Sequence, residues 1–301
     1  MHPKIYAAIE GGGTKFVCAI IDQDNRILEQ KRIPTTSPEE TLGACLEFFY
    51  QQQALSGKPE ALGIACFGPL DPKPASATYG QILATPKAGW AFTDLVRPFE
   101  QALGIPVGFD TDVNGAVLAE SYWGAGLGLK NLVYYTIGTG IGAGALVNGQ
   151  LLHGLSHPEM GHIRLPHDFD QDRFEGVCPF HGDCFEGLAT GPALEQRWGN
   201  PAGALAVEHP AWELEAHYIS LALQTVICTL SPERIILGGG VMAQTQLFPL
   251  IREKVLACLN GYVQADEILE GIADYIVPPG LGTFSGILGA KALAEMAAAA
   301  R

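Results

Sequence analysis

The sequence predicts an α/β protein built on a duplicated core, and two observations carry that expectation. The chain opens with a strand, a glycine turn and a second strand (KIYAAIE, GGGTK, KFVCAIID). Near its middle it opens the same way again (NLVYYTIG, TGIG, AGALV). No Ser/Gly linker divides the rounds, so the domain boundary is expected near 115–130.

Taken in order, alternating apolar residues mark strands through the first 34 residues. A helix follows near 38–54, where Ser37 can cap and Pro38 fits the first turn. Residues 61–68 read as a buried strand, and a Pro/Gly-rich excursion runs from Pro69 to Trp90. A helix near 92–103 leads to a strand, Pro106–Asp110, and a helix from about Asp112–Asn114 reaches Trp123. In the second round 131–138 is a strand and 143–152 a hairpin through Asn148-Gly149. An irregular, His/Cys-rich stretch (153–187) precedes a mostly helical region, interrupted by the strand 234–240. The closing Ala-rich helix is expected to return to the first half. The expected division is a small domain, 1–116 with the helix at about 287–301, and a larger one, 117–286, carrying the segment 157–187.

A length of 301 residues suffices for two such domains, and the composition (48% hydrophobic, 17% charged) is that of a globular protein. No run approaches the ~20 apolar residues of a membrane span, and no secretion signal is visible, so a cytoplasmic protein is expected. The formal charge of −14 excludes broad binding to nucleic acid or anionic membrane. Seven cysteines without a secretion signal argue against a disulfide framework. Cys18, Cys45, Cys66, Cys228 and Cys258 sit singly in apolar stretches and read as small core residues.

Three glycine runs lie at strand ends: Gly11–Gly13 before Thr14 and Lys15, Gly138–Gly144 around Thr139 and Gly140, and Gly238–Gly240 between a strand and a helix. Glycines let a backbone approach phosphate oxygens, while Thr14 offers a hydroxyl and Lys15 a charge. The first lacks Walker A spacing, and the second leads into a strand rather than a helix, so neither is a P-loop or a dinucleotide fingerprint. The segment Asp110-Thr111-Asp112-Val113-Asn114 joins a strand to a helix; a carboxylate there can take the proton of an attacking hydroxyl, and one of the two aspartates can equally be a helix cap.

Cys178-Pro-Phe-His181-Gly-Asp-Cys184 places two thiolates and an imidazole at three-residue spacing, which suits tetrahedral zinc. A fourth ligand is available upstream among His153, His157, His162 and His167; three ligands would leave the ion open for catalysis, four would close it. Glu159 and His162, in HPEMGH, have the charge and hydrogen-bonding capacity to meet sugar hydroxyls.

EGGGTK, FGPLD, TPKAGW, DTDVN, IGTGIGAG, HPEMGH, CPFHGDCFEGLATGPA and LGGGV follow one another as in the ROK family of sugar kinases, and the chain resembles its zinc-containing fructokinase branch over nearly its full length. The resemblance implies an actin/hexokinase-like (ribonuclease-H-like) fold of two α/β domains around a central cleft. It implies ATP contacts at Gly12, Gly13, Thr14, Lys15, Thr139, Gly140, Gly187, Gly191, Gly238, Gly239 and Gly240, and a catalytic base at Asp112. It further implies sugar contacts at Gly68, Lys87, Asn114, Glu159, His162 and Glu186, and a closed zinc site of His162, Cys178, His181 and Cys184. Glu10 stands where relatives carry the Asp that positions hydrated Mg²⁺, Thr111 replaces an Asn, and Lys87 replaces a sugar-contacting Asn; the last two fit the fructokinase branch. The implied protein is an ATP-dependent fructose kinase and a homodimer. Mannose, glucose or an N-acetylhexosamine is the alternative substrate, and a non-catalytic sugar-responsive regulator the alternative of another class; the regulators carry an added DNA-binding domain, whereas here the phosphate loop begins at residue 10.

Overall fold

The computed structural model describes residues 4–300 and forms two compact units. The first comprises the chain up to Gly124, Leu151–Pro158 and the chain from Thr283; the second comprises Ala125–Gln150 and Glu159–Gly282.

In the first unit β1 (Ile5–Gly11), β2 (Lys15–Asp22) and β3 (Ile27–Pro34) precede α1 (Pro38–Ser56), β4 (Leu62–Cys66), α2 (Arg97–Leu103), β5 (Val107–Thr111) and α3 (Asp112–Trp123). The five-stranded sheet has the order β3-β2-β1-β4-β5. β2 pairs antiparallel with β1 and β3, whereas β1, β4 and β5 run parallel. All of β4 is buried, as an apolar run covered on both faces must be, while outermost β3 exposes Glu29, Lys31 and Arg32, charges that discourage pairing with another edge.

The second unit holds β6 (Leu132–Ile137), β7 (Ile141–Val147), β8 (Gln150–Leu151), α4 (Phe185–Ala189), α5 (Gly191–Trp198), α6 (Ala211–Leu230), β9 (Arg234–Gly238), α7 (Leu247–Leu259), α8 (Asp266–Leu269), α9 (Ile272–Tyr275) and β10 (Ile276–Val277). Its sheet, β8-β7-β6-β9-β10, repeats the first strand for strand, with β6 antiparallel to β7 and parallel to β9. The duplication expected from the two openings is thus a duplication of topology.

The last helix, α10 (Ser285–Ala299), belongs to the first unit. It crosses the sheet at backbone contact: a Cβ on Gly63 would run into the Ala290 carbonyl, and one on Gly289 into the backbone of Gly115 in α3. Only residues without a side chain permit this approach.

Three local expectations are corrected. The helix expected near 92–103 begins at Arg97, because Asp94 Oδ1 accepts the amides of Val96 and Arg97 and Pro98 follows in the first turn. Gly238–Gly240 lead into a 3-10 turn at Val241–Ala243, and the helix starts only at Leu247. Cys228 is exposed and Cys258 half-buried, its Sγ 3.8 Å from Ser220 Oγ of α6; Cys18, Cys45 and Cys66 are core residues. No helix among the described residues is long and apolar enough to cross a membrane.

Candidate active site

In the first unit the glycine turn between β1 and β2 is closed by Gly12 N donating to Lys15 O (2.9 Å), and Thr35 Oγ1 donates to Gly12 O (2.8 Å). Gly13, Thr14 and Lys15 are exposed. Lys87 reaches this turn, its Nζ donating to Gly13 O at 2.5 Å. The loop bearing Lys87 is anchored by Trp90, which is fully buried, stacks on Phe16 and donates from Nε1 to Thr36 O (2.8 Å). Glu10, the penultimate residue of β1, sets its carboxylate against Gly286, where any side chain would collide with it. Burial pushes the Glu10 carboxyl up from the usual range, against the pull of Lys15 and Arg32.

The Asp110–Asn114 turn is built by three side chains. Thr111, not an aspartate, caps α3: its Oγ1 accepts the amide of Asn114 at 3.1 Å. Asp110 is 2% exposed, and its Oδ1 accepts from Thr111 N (2.7 Å) and Asn114 Nδ2 (2.8 Å). Its Oδ2 faces His153 Nε2 at 2.7 Å. Asp112 alone of the five residues is partly exposed, at the first turn of the helix, where the helix dipole favours a carboxylate. Asn114 is buried, and its Oδ1 has no hydrogen-bond partner among the described residues. Gly68 packs against the ring of His157, whose Nε2 accepts from Leu70 N (3.1 Å).

The second unit brings the other two glycine runs together. Gly239, at φ 94°, lies on the backbone of Ile137, and Gly240 adjoins Gly138. Gly191, opening α5, donates its amide to Gly138 O (2.8 Å). Thr139, Gly239 and Gly240 are exposed there. Gly187, by contrast, is buried against Gly182 and Cys178 and lets α4 close on the cysteine hairpin. Glu186, in the first turn of α4, accepts the Ile141 amide on Oε2 (3.0 Å) and lies 3.9 Å from His162 Nε2 through Oε1.

His162 owes its place to Gly161. The 3-10 turn Met160–His162 sits so close to β7 that a Cβ on Gly161 would meet the Ile141 carbonyl. Glu159 precedes that turn and is exposed. His162 Nδ1 then lies 3.7 Å from Cys178 Sγ and 3.6 Å from Cys184 Sγ, with His181 Nδ1 3.6 Å from Cys178 Sγ. The donor atoms of all four residues lie within 4.8 Å of one another. A tetrahedral ion with bonds of about 2.0–2.3 Å separates its ligands by about 3.3–3.8 Å, so these donors fit a metal with four protein ligands. Burial pushes the Cys184 thiol up to about 11, and a bound dication would reverse that preference. Of the four upstream histidines only His162 joins this set: His153 and His157 belong to the first unit, and His167 pairs with Asp183 (3.2 Å).

The pairing of Asp110 with His153, forty-three residues apart, escaped the sequence reading, as did Arg164 against Asp183. Neither has a local signal; each is made by a loop returning from elsewhere.

The ROK family model matches residues 6–297, and the chain belongs to that family of actin/hexokinase-like proteins. It is 47% identical over 297 residues to a fructokinase of Zymomonas mobilis, covering 97% of this chain and 96% of the relative. It is 42% identical over 293 residues to a fructokinase of Pediococcus pentosaceus, covering 97% and 98%. Among solved structures, a ROK hexokinase from Thermus thermophilus superimposes with a TM-score of 0.76 at 26% identity, covering 97% of this chain and 98% of the other.

Proposed function

We propose that the chain transfers the γ-phosphoryl group of ATP to fructose, giving fructose 6-phosphate. The observation that carries this reading is full-length similarity at 42–47% identity to proteins named fructokinase. Asp112, the partly exposed carboxylate at the start of α3, accepts the proton of the primary hydroxyl as its oxygen bonds to the γ-phosphorus. The bond from that phosphorus to the β,γ-bridging oxygen breaks, and ADP leaves. In the first unit the 11–14 run offers backbone amides to phosphate oxygens, with Lys15 adding charge; in the second unit the 138–140 and 238–240 runs offer amides of their own. Mg²⁺, held near Glu10, would neutralise charge on the triphosphate when bound. Glu159, His162 and Glu186 in the second unit, and Gly68 and Lys87 in the first, are the residues assigned to the sugar. A fructose hydroxyl donating to Asn114 Oδ1 would remove the cost, about 1–3 kcal/mol, of a buried acceptor left unmet.

The metal in this reading is zinc, in a closed and therefore structural site of His162, Cys178, His181 and Cys184. His162 would give Nδ1 to the ion, and its Nε2 lies 3.9 Å from Glu186 Oε1, so a structural metal would fix a ring assigned to the substrate side. A cytoplasmic homodimer completes the reading.

ADP release measured across fructose, mannose, glucose and N-acetylhexosamines tests it. Fructose should give the highest kcat/KM; a higher value for another hexose moves the assignment to that sugar. No ADP release with any sugar, together with retained sugar binding, would make the chain a regulator. Asp112→Asn should lower kcat about 10²–10⁴-fold with fructose binding within about threefold of wild type, checked by steady-state kinetics and calorimetry.

A further inference from the structure

Residues Leu151–Pro158 leave the second sheet and fold with the first unit. Three contacts tie this strap to the loop after β4: Ser156 Oγ donates to Leu70 O (3.1 Å), Leu70 N to His157 Nε2 (3.1 Å), and Lys73 Nζ to Leu155 O (2.5 Å). The fourth goes elsewhere. His153 Nε2 meets Asp110 Oδ2 at 2.7 Å, and this carboxylate also holds Thr111 N and Asn114 Nδ2. Asp110 therefore grips the residue before Asp112 and the residue two after it, with both of its oxygens engaged. Remove His153, and one oxygen of a 2%-exposed carboxylate loses its partner.

We propose that His153 is a positioning residue for the phosphoryl transfer: through Asp110 it pins the turn that presents Asp112, and so couples the strap to the catalytic carboxylate. The proposal rests on Asp112 being the base. Its electrostatics follow from the groups that face the ring. Asp110, first as hydrogen-bond acceptor and then as a charge, raises the His153 pKa above its ordinary value, against burial and Lys73, which lower it. A group whose folded pKa is raised has its pair intact at low pH and loses it as pH rises through the folded value. Turnover should therefore show a limb that falls on the alkaline side.

The test compares pH profiles of kcat at saturating ATP for wild type, His153→Gln and His153→Arg, with thermal unfolding and the NMR titration of His153 Cε1–H alongside. His153→Gln should lower kcat about 10–100-fold, as a small misplacement of a catalytic group does, and abolish the alkaline limb. His153→Arg, always charged, should restore kcat to within about threefold and leave it flat at high pH. KM for ATP should move less than about twofold. A His153→Gln protein with wild-type kcat and an unchanged alkaline limb overturns the proposal, whatever its Tm. If wild type turns over no hexose, the kinase reading falls, and the pin is decided by NMR: a raised His153 pKa that relaxes in Asp110→Asn supports it, and one that stays put overturns it.

Discussion

Two long irregular segments, 69–96 in the first unit and 159–187 in the second, are held in shape by different means. The first is plugged by apolar side chains: Leu70, Ile82, Trp90 and Leu95 are fully buried, and Trp90 packs on Phe16 and Phe67 with ring centroids at 5.2 and 5.7 Å. The second leaves Phe169 and Phe180 exposed and gathers donors instead: the His162, Cys178, His181 and Cys184 cluster, Arg164 with Asp183, and Tyr218 OH donating to Asp172 at 2.6 Å. A plug of hydrocarbon is lost only by unfolding, whereas a cluster of donors that held an ion would be lost with it.

Metal removal should therefore give the largest difference between the segments. Structural zinc is worth about 10–16 kcal/mol in small zinc domains, more than any single side chain. A strong chelator, or Cys178→Ser with Cys184→Ser, should lower bound zinc from about one per chain to none, open 164–183 to proteolysis, and raise the fructose KM by about tenfold or more while the ATP KM changes far less. Equal cleavage in 69–96 would break the comparison. Trp90→Ala should come next, destabilising by about 3–5 kcal/mol in denaturant unfolding with zinc content unchanged. Arg164→Ala should be smallest. Its side chain is 65% exposed, and exposed pairs contribute about 0.2–1 kcal/mol. A loss rivalling that of the double cysteine variant would mean that ion pairs, not the metal, hold the segment.

What could be read in advance depended on distance along the chain. The glycine turns and the Cys178–Cys184 hairpin are local, and so are the β1–β2 and β6–β7 pairs the turns join. The fourth ligand was not local: His162 was implied by resemblance, and its physical reason is the passage of Gly161 over Ile141, twenty residues away in sequence. The sequence leaves open whether an aspartate caps α3; Thr111 takes the cap, with Asp110 paired to His153 and Asp112 partly exposed. Pairings such as this arise where a strap from one round joins the other, and no periodicity records them. Cys228 was misplaced because a lone cysteine in an apolar run does not say which helix face it occupies.

The return of α10 to the first sheet also sets an order of events on the ribosome. Gly63 and Gly108 leave that face of the sheet smooth for a helix that comes far later in the chain. Between Gly124, where the first block of the unit ends, and Ser285 lie about 160 residues of synthesis, or roughly 8–32 s at about 5–20 residues per second. Throughout that interval the face of the sheet that Gly63 and Gly108 keep open for α10 has no helix to cover it, so the unit's fold is completed only when fifteen-residue α10 follows.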